Sequence, residues 1–352
     1  MKYFLDSDVA EAGKSLGDAA HAFSGKTILM TGAFGFLGRH ISEVFAYLNA
    51  HILEKPCTFV GCDNFLTSGD AAGQAQERRH IKFMKHDVIQ PLKWDGPLDY
   101  IIHAAGIASP FYYRAYPLET LDVAITGTRN MLDLAKEHQA HFTFFSSSEI
   151  YGDPDPKHVP TAESYRGYVS CRGPRACYDE GKRAGETLCH VYHEKFGIPT
   201  TTIRPFNVYG PGMQEADYRV LPNFASALKA GKPLKVYGSG TQTRTFCYIT
   251  DALCGFLLAI TRGVPGEAYN IGNPNPEVSV RDLVQAMERV LGRALPYDII
   301  EYPDSYPADE PMRRCPDIRK ARLQLKYDPT VGLDEGLRRF LSWTDQSFTG
   351  KS

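Results

Sequence analysis

From Lys26 onward the chain alternates short apolar runs with stretches whose apolar residues recur every three or four positions. The runs at 27–30, 58–62, 81–85, 100–103, 142–146 and 200–204 read as strands, and 38–48, 118–137 and 178–196 read as helices between them. Strands that alternate with helices pair in parallel through right-handed crossovers, which predicts an α/β fold built on a doubly wound parallel sheet. After about residue 205 the pattern loosens and Pro and Gly punctuate shorter elements. Helical spacing returns at 251–261, 280–291, 317–325 and 333–341. The division this predicts is a nucleotide-binding unit over 26–205, a smaller α/β substrate-binding lobe over 206–345, and a return of residues about 240–272 to the first unit. Residues 1–25 form an extension in which 8–20 has amphipathic helical spacing; the sequence assigns it no function. No internal repeat is visible, which argues against a solenoid or propeller.

Composition narrows the picture mainly by exclusion. The 352 residues suffice for a large core, and 43% hydrophobic with 23% charged is an ordinary globular balance. A net charge of −2 points away from nucleic acid or an acidic membrane as the main partner, so any phosphate-binding cations must be local clusters. No apolar run approaches bilayer length and the N-terminus lacks a signal-peptide pattern, so a cytoplasmic location is expected. The eight cysteines (57, 62, 171, 177, 189, 247, 254 and 315) show no CxxC pair and no metal-ligand spacing with histidine. They read as reduced, mostly buried thiols, with no metal site.

Against this background one glycine-rich turn stands out. Gly32, Gly35 and Gly38 follow a predicted strand, and Phe36 and Leu37 open a predicted helix. Gly32 and Gly35 let the backbone turn tightly against a pyrophosphate, Gly38 lets helix pack on strand, and the helix N-terminus offers free N–H groups to phosphate. Asp63 ends the second strand, where an acid hydrogen-bonds an adenosine ribose and repels the 2′-phosphate of NADP, so NAD is the expected cofactor. Arg39 is a counter-signal, since a guanidinium just after the last glycine could reach such a phosphate. Asp87 and Val88 end the third strand and either hold the adenine edge or cap the strand.

Tyr178 and Lys182 lie four residues apart on one face of a predicted helix. A tyrosine has an unperturbed pKa of about 10, and a nearby ammonium together with a positive nicotinamide ring is expected to lower it. The spacing also arises by chance in helices; downstream of a glycine loop it reads as a base and its partner. Ser147, Ser148 and Glu149 follow the fifth strand, at the carboxyl edge where open α/β sheets bind ligands. Ser147 suits a substrate hydroxyl and Glu149 a second acid/base, although serines there also cap turns and a glutamate can merely pair with a cation. Beyond them Asn207, Arg219, Asn223, Gln242, Arg244, Arg313 and Arg314 are polar groups suited to a nucleotide diphosphate.

The stretches 173–183, 237–246 and 316–323, with 63–65 and 148–154, resemble those of extended short-chain dehydrogenase/reductases of the nucleoside-diphosphate-sugar epimerase/dehydratase group, and within it UDP-glucuronate decarboxylases (UDP-xylose synthases). The likeness runs from about 26 to about 341. It implies a Rossmann fold, Tyr178 and Lys182 as the catalytic pair, and Ser147, Ser148 and Glu149 around the reacting sugar. It further implies Asn64 beside Asp63 at the cofactor, Arg314 near a sugar carboxylate, and Asn207, Arg219, Gln242 and Arg244 on the nucleotide diphosphate. NAD retained through turnover and a homodimer built on a helix pair are implied too. The chemistry implied is oxidation at C4, loss of CO2 from the C5 carboxylate, and re-reduction.

Three departures accompany the likeness. Ser147 stands where the family usually has threonine, Gly212 where arginine usually follows Gly210-Pro211, and the segment 103–109 has different wording. At Gly212 one phosphate or carboxylate contact is therefore expected to be missing. A 4-epimerase or 4-oxidase, needing only Ser147, Tyr178 and Lys182, remains an alternative. A 4,6-dehydratase fits less well because Ser148 replaces the aspartic acid such chemistry wants beside the glutamate. A non-catalytic NAD-sensing regulator is the alternative outside enzymes.

Overall fold

The computed structural model describes residues 2–68, 77–217, 219–301 and 311–350. Its centre is a seven-stranded, wholly parallel sheet of β1 (Thr27–Thr31), β2 (Thr58–Asp63), β3 (Ile81–Lys85), β4 (Tyr100–His103), β5 (His141–Phe145), β6 (Thr200–Pro205) and a last strand, Ala268–Ile271. The order across the sheet is β3-β2-β1-β4-β5-β6 and then the last strand. β1 lies between β2 and β4, with Thr31 level with Cys62 on one side and His103 on the other. The winding reverses between β1 and β4, and such a reversal opens a crevice at the carboxyl ends of the strands. Helices cover both faces, so Ile28, Leu29 and Met30 of β1 have no exposed surface.

Hydrophobic spacing explains the helices. Phe36–His51 buries Ile41, Val44, Phe45 and Leu48, three to four residues apart, beneath the sheet. Ala176–Phe196 ends at Gly197, which takes a left-handed conformation with φ +68°. The segment expected as one helix at 118–137 is a helical path with a widened middle: Pro117–Asp122, a π-helical stretch Val123–Gly127, then Thr128–His138. Hydrophobic period gives no warning of that widening, because the apolar positions continue through it.

The extension is ordered and packed. Asp6–Ser15 is a helix and Gly17–Phe23 a 3₁₀ segment; Gly17, at φ +51°, divides the single helix expected at 8–20. Gly13 sits so close to the helix Phe36–His51 that a Cβ there would lie 2.5 Å from the Tyr47 ring. Phe23 wedges edge-on between Phe45 and Tyr100.

Beyond β6 the strands are short. Val208–Tyr209 pairs with Cys247–Tyr248, Thr243–Arg244 lies between Val278–Ser279 and Arg313–Arg314, and Leu234–Tyr237 pairs with Tyr297–Ile300. Helix Ile249–Arg262 is buried along most of its length and brings the chain back to the strand Ala268–Ile271, which pairs with β6. Among the described residues no helix is long and apolar enough to cross a membrane.

Candidate functional site

The carboxyl edge of the sheet begins with the turn after β1. Gly32 has φ +70°, and a Cβ there would come within 2.7–2.8 Å of the backbone of Ala104 and Ala105. A Cβ on Gly38 would lie 2.3 Å from the Gly32 carbonyl oxygen, so the helix can pack on this turn only because both residues lack side chains. Gly35 occupies the N-cap without any capping side chain, leaving the N–H groups at the start of Phe36–His51 directed at the crevice. An uncapped helix start over a side-chain-free cradle is an anion site, and it suits the pyrophosphate of a dinucleotide.

Asp63 accepts hydrogen bonds from the Phe34 and Phe65 backbone N–H groups, at 3.0 and 2.9 Å. Burial raises its pKa above the ordinary carboxylate value, partly offset by these bonds. Asn64 donates to Asp87 at 3.1 Å, which ties the ends of β2 and β3 together, and Asp87 also accepts from Ile89 N–H at 3.2 Å. Val88 is buried at the same edge. Arg39 does not reach this region. Its guanidinium turns the other way, stacks on Tyr3 with 4.4 Å to the ring centroid, and donates to the Gly212 carbonyl at 2.9 Å. The counter-signal for NADP thereby loses its basis.

Tyr178 and Lys182 share the buried face of Ala176–Phe196, as their four-residue spacing requires. The Tyr178 ring stacks on Tyr113, 5.5 Å between centroids and 15° from parallel. Lys182 donates to the Phe145 carbonyl at 2.7 Å, and its Nζ lies 5.9 Å from the centre of the Tyr178 ring. Burial lowers the Lys182 pKa to about 8. The same burial raises that of Tyr178, while a hydrogen bond from Ser147 and the charges of Arg175 and Arg219 pull it back. In the protein alone desolvation outweighs these cationic neighbours; the lowering expected from sequence included the positive nicotinamide ring, whose charge is not in this balance.

Ser147 closes β5, and its Oγ accepts from the Glu149 N–H at 3.2 Å, capping the short 3₁₀ turn Ser148–Tyr151. This places the Glu149 side chain between two arginines. Arg314 donates from Nη2 to Oε2 at 2.8 Å and from Nη1 to Oε1, and Arg175 also bonds Oε2. Arg314 is 5% exposed and Arg175 9%, so the carboxylate satisfies two guanidinium groups that are almost out of water.

These groups border one cavity of about 820 Å³. Gly32, Gly35, Phe36, Leu37 and Gly38 line it, together with Ser147, Ser148, Glu149, Tyr178, Lys182 and Arg314. Asn207, Arg219, Asn223, Gln242 and Arg244 border it from the chain beyond β6. Asn207 adopts φ +41° and donates to the Thr245 carbonyl at 2.9 Å. Arg219 pairs with Asp217, Gln242 donates to the Tyr237 carbonyl at 3.4 Å, and Arg244 donates to the Thr243 carbonyl at 2.8 Å. Asp63, Asn64, Asp87 and Val88 lie outside this lining, and Arg313 pairs with Glu277 at 2.7 Å, also outside it.

Sequence reasoning assigned no role to Arg175 or Tyr113. Arg175 precedes Tyr178 by three residues, one helical turn, which is a usable signal. Tyr113 comes from Pro110–Ala115, a short helix whose place over the phenol no spacing announces. Gly212 takes φ +89°, and a Cβ there would meet the Tyr3 carbonyl oxygen at 2.6 Å. The extension fills the space that a side chain at 212 would need.

Comparison with known proteins agrees with this geometry. The model of the NAD dependent epimerase/dehydratase family matches residues 28–272. UDP-glucuronic acid decarboxylase 1 of Xenopus tropicalis is 38% identical over 324 residues, covering 90% of this chain and 72% of that protein. UDP-glucuronic acid decarboxylase 6 of Arabidopsis thaliana is 38% identical over 314 residues, covering 89% and 87%. Among solved structures, the UDP-glucuronic acid 4-epimerase from Bacillus cereus in complex with UDP-glucuronic acid and NAD is 27% identical with a TM-score of 0.76, covering 92% of this chain and 100% of that one.

Proposed function

Because the chain belongs to the NAD dependent epimerase/dehydratase family, we propose that it binds NAD and a nucleoside-diphosphate sugar and converts UDP-glucuronate to UDP-xylose through a 4-keto intermediate. The observation that carries this reading is the meeting of two nearly buried guanidiniums, Arg175 and Arg314, at one carboxylate within the cavity that also holds Tyr178 and Lys182. A site built to hold a carboxylate between arginines beside a phenolic base suits a uronic acid better than a neutral sugar.

NAD is assigned to the glycine cradle, its pyrophosphate at the N-terminus of Phe36–His51 and its adenosine toward Asp63, Asn64, Asp87 and Val88. When bound, it supplies reversible oxidation of a sugar carbon. Burial raises the phenol of Tyr178 in the protein alone, and the positive nicotinamide ring of bound NAD would favour its phenolate, the form that takes the proton of the C4 hydroxyl, which Ser147 orients from beyond the end of β5. Lys182 stays on the Phe145 carbonyl and brings positive charge to the ribose side. Once C4 is a ketone, the C5 carboxylate is β to it; CO2 departs and leaves its electron pair in an enolate. Arg314 holds the carboxylate and Glu149 is the acid/base that returns a proton to C5, a task of positioning and fixed charge; C4 is then reduced back to its hydroxyl as Tyr178 returns the proton it took. Asn207, Arg219, Gln242 and Arg244 hold the diphosphate and its nucleoside, with Ser148 against the sugar.

The test is direct. Purified protein incubated with UDP-glucuronate is expected to release one CO2 for each UDP-pentose formed. Conversion to UDP-galacturonate without CO2 would establish the second reading, a 4-epimerase, which the 27% likeness to an epimerase crystallised with UDP-glucuronic acid keeps in view.

We further assign the protein a homodimeric state. Leu118 is 72% exposed, and Ile125 and Val191 are also exposed on neighbouring helical segments, an apolar face suited to a helix pair. Sedimentation at a monomer mass would exclude it.

A further inference from the structure

The extension meets the functional site through a short relay. Tyr3, 6% exposed, lays its ring on the Arg39 guanidinium and donates its hydroxyl to Glu43 at 3.0 Å. Arg39, 4% exposed, spans from the helix Phe36–His51 to the Gly212 carbonyl at 2.9 Å. Gly212 in turn closes against the Tyr3 carbonyl, where no side chain would fit. The next residue, Met213, borders the cavity, and its N–H donates to the Gly210 carbonyl at 3.4 Å. From this turn the chain runs on to Arg219 and the helix Val220–Lys229, whose first turns line the substrate side.

The extension itself is held independently of the relay. Asp8, 1% exposed, accepts from the Tyr248 hydroxyl at 2.6 Å and from Arg339 at 3.0 Å, and Glu11 bonds Arg339 at 2.7 Å. The Trp343 indole N–H donates to the Lys2 carbonyl at 3.0 Å, immediately before Tyr3. Tyr3 is thus presented to Arg39 from an anchored backbone, and the guanidinium is held in one orientation between an aromatic face and a carbonyl. Without that face, Arg39 regains rotamers that do not reach Gly212.

We propose that Tyr3 and Arg39 are positioning residues for the nucleotide-sugar side of the cavity, fastening the turn at 210–213 to the helix behind the glycine cradle. The proposal rests on the nucleotide-sugar reading above. It gives the extension a role: the half of the site that carries Met213 and Arg219 is set against the half that carries Phe36 and Gly38 by a residue near the chain start.

Calorimetric titration of the NAD-loaded protein with UDP tests this below the melting temperature. Loss of one desolvated cation–π contact sets the scale, so Tyr3→Ala and Arg39→Met are each expected to weaken UDP binding by about five- to tenfold. NAD content stays at the wild-type level in both. Tyr3→Phe keeps the ring over Arg39 and is expected to restore UDP affinity to within about twofold. Glu11→Gln loosens the extension at Arg339 without touching the relay, so it lowers the melting temperature and leaves UDP affinity unchanged. Wild-type UDP affinity in both Tyr3→Ala and Arg39→Met overturns the proposal, as does an equal loss in Glu11→Gln. Failure of the wild-type protein to bind UDP overturns instead the nucleotide-sugar reading.

Discussion

Arg314 donates to Glu149 across 2.8 Å from a strand that lies 165 residues away in the chain. Arg175 meets the same carboxylate from the start of the helix that carries Tyr178. In the protein alone, Glu149 therefore neutralises two guanidiniums, in the region where the substrate carboxylate is assigned. Removing its charge takes the bidentate carboxylate partner from Arg314 and leaves Arg175 its second carboxylate, Asp179 at 3.6 Å, which costs roughly 3 kcal/mol. Glu149→Gln is expected to melt several degrees lower than wild type, and UDP-glucuronate should restore more of that loss than UDP-glucose does. Equal restoration by the two sugars would remove the carboxylate from this place.

Tyr178 is the proposed proton acceptor, buried against Tyr113. Tyr178→Phe preserves the ring stack and deletes only the hydroxyl. Turnover is expected to fall by about 10²–10⁴-fold, the usual worth of one acid–base group. Bound NAD, read by absorbance and release on denaturation, should stay at the wild-type level.

Gly38 permits the contact between helix and glycine turn. A methyl group there would sit 2.3 Å from a backbone oxygen, which no rotamer change can relieve. Gly38→Ala is expected to abolish NAD retention and to destabilise the fold. Gly25→Ala provides the contrast: Gly25 has a positive φ, unlike Gly38, but its nearest neighbours are the Lys55 side chain at 3.6–3.7 Å and it lies away from the cradle, so NAD retention should survive.

Three buried histidines make the protein acid-sensitive. Burial lowers His103 from 6.5 to about 3, and His40 and His141 to about 4. Their folded pKa values lie below the unfolded ones, so the unfolded chain binds protons first as pH falls. The stability they contribute is complete above pH 6.5 and is lost on acidification toward pH 4, amounting to about 2–3 kcal/mol for each histidine near pH 4.5. Urea unfolding from pH 7 to pH 4.5 measures it. His141→Gln, which keeps a side chain able to bond Thr201, should flatten the pH dependence by one histidine's share.

Much of the fold is legible in the chain because it is local. Apolar runs of four to six residues separated by helical periods specify β1 to β6, and parallel pairing follows from the crossovers between them. The glycine turn and the Tyr178–Lys182 pair are legible for the same reason: a three-residue glycine interval and a four-residue helical interval each act within one turn. What a single period cannot register was missed, such as the π-helical widening at Val123–Gly127 and the break of the first helix at Gly17.

Tertiary structure decided which partner each cation at the cavity meets and which cations are spent elsewhere. Arg313 and Arg314 are adjacent in sequence, yet Arg314 meets Glu149 within the lining while Arg313 turns to Glu277 outside it, because adjacent residues of a strand face opposite ways. Arg39, a counter-signal for a 2′-phosphate by its position after the glycines, instead has its guanidinium over the ring of Tyr3, thirty-six residues earlier in the chain, and on the Gly212 carbonyl. In the protein alone burial, which no spacing encodes, outweighs nearby charge and raises the phenol of Tyr178. Sequence determined the elements and the chemistry along each of them; long-range packing decided the partners, since charge and desolvation act through space and not along the chain.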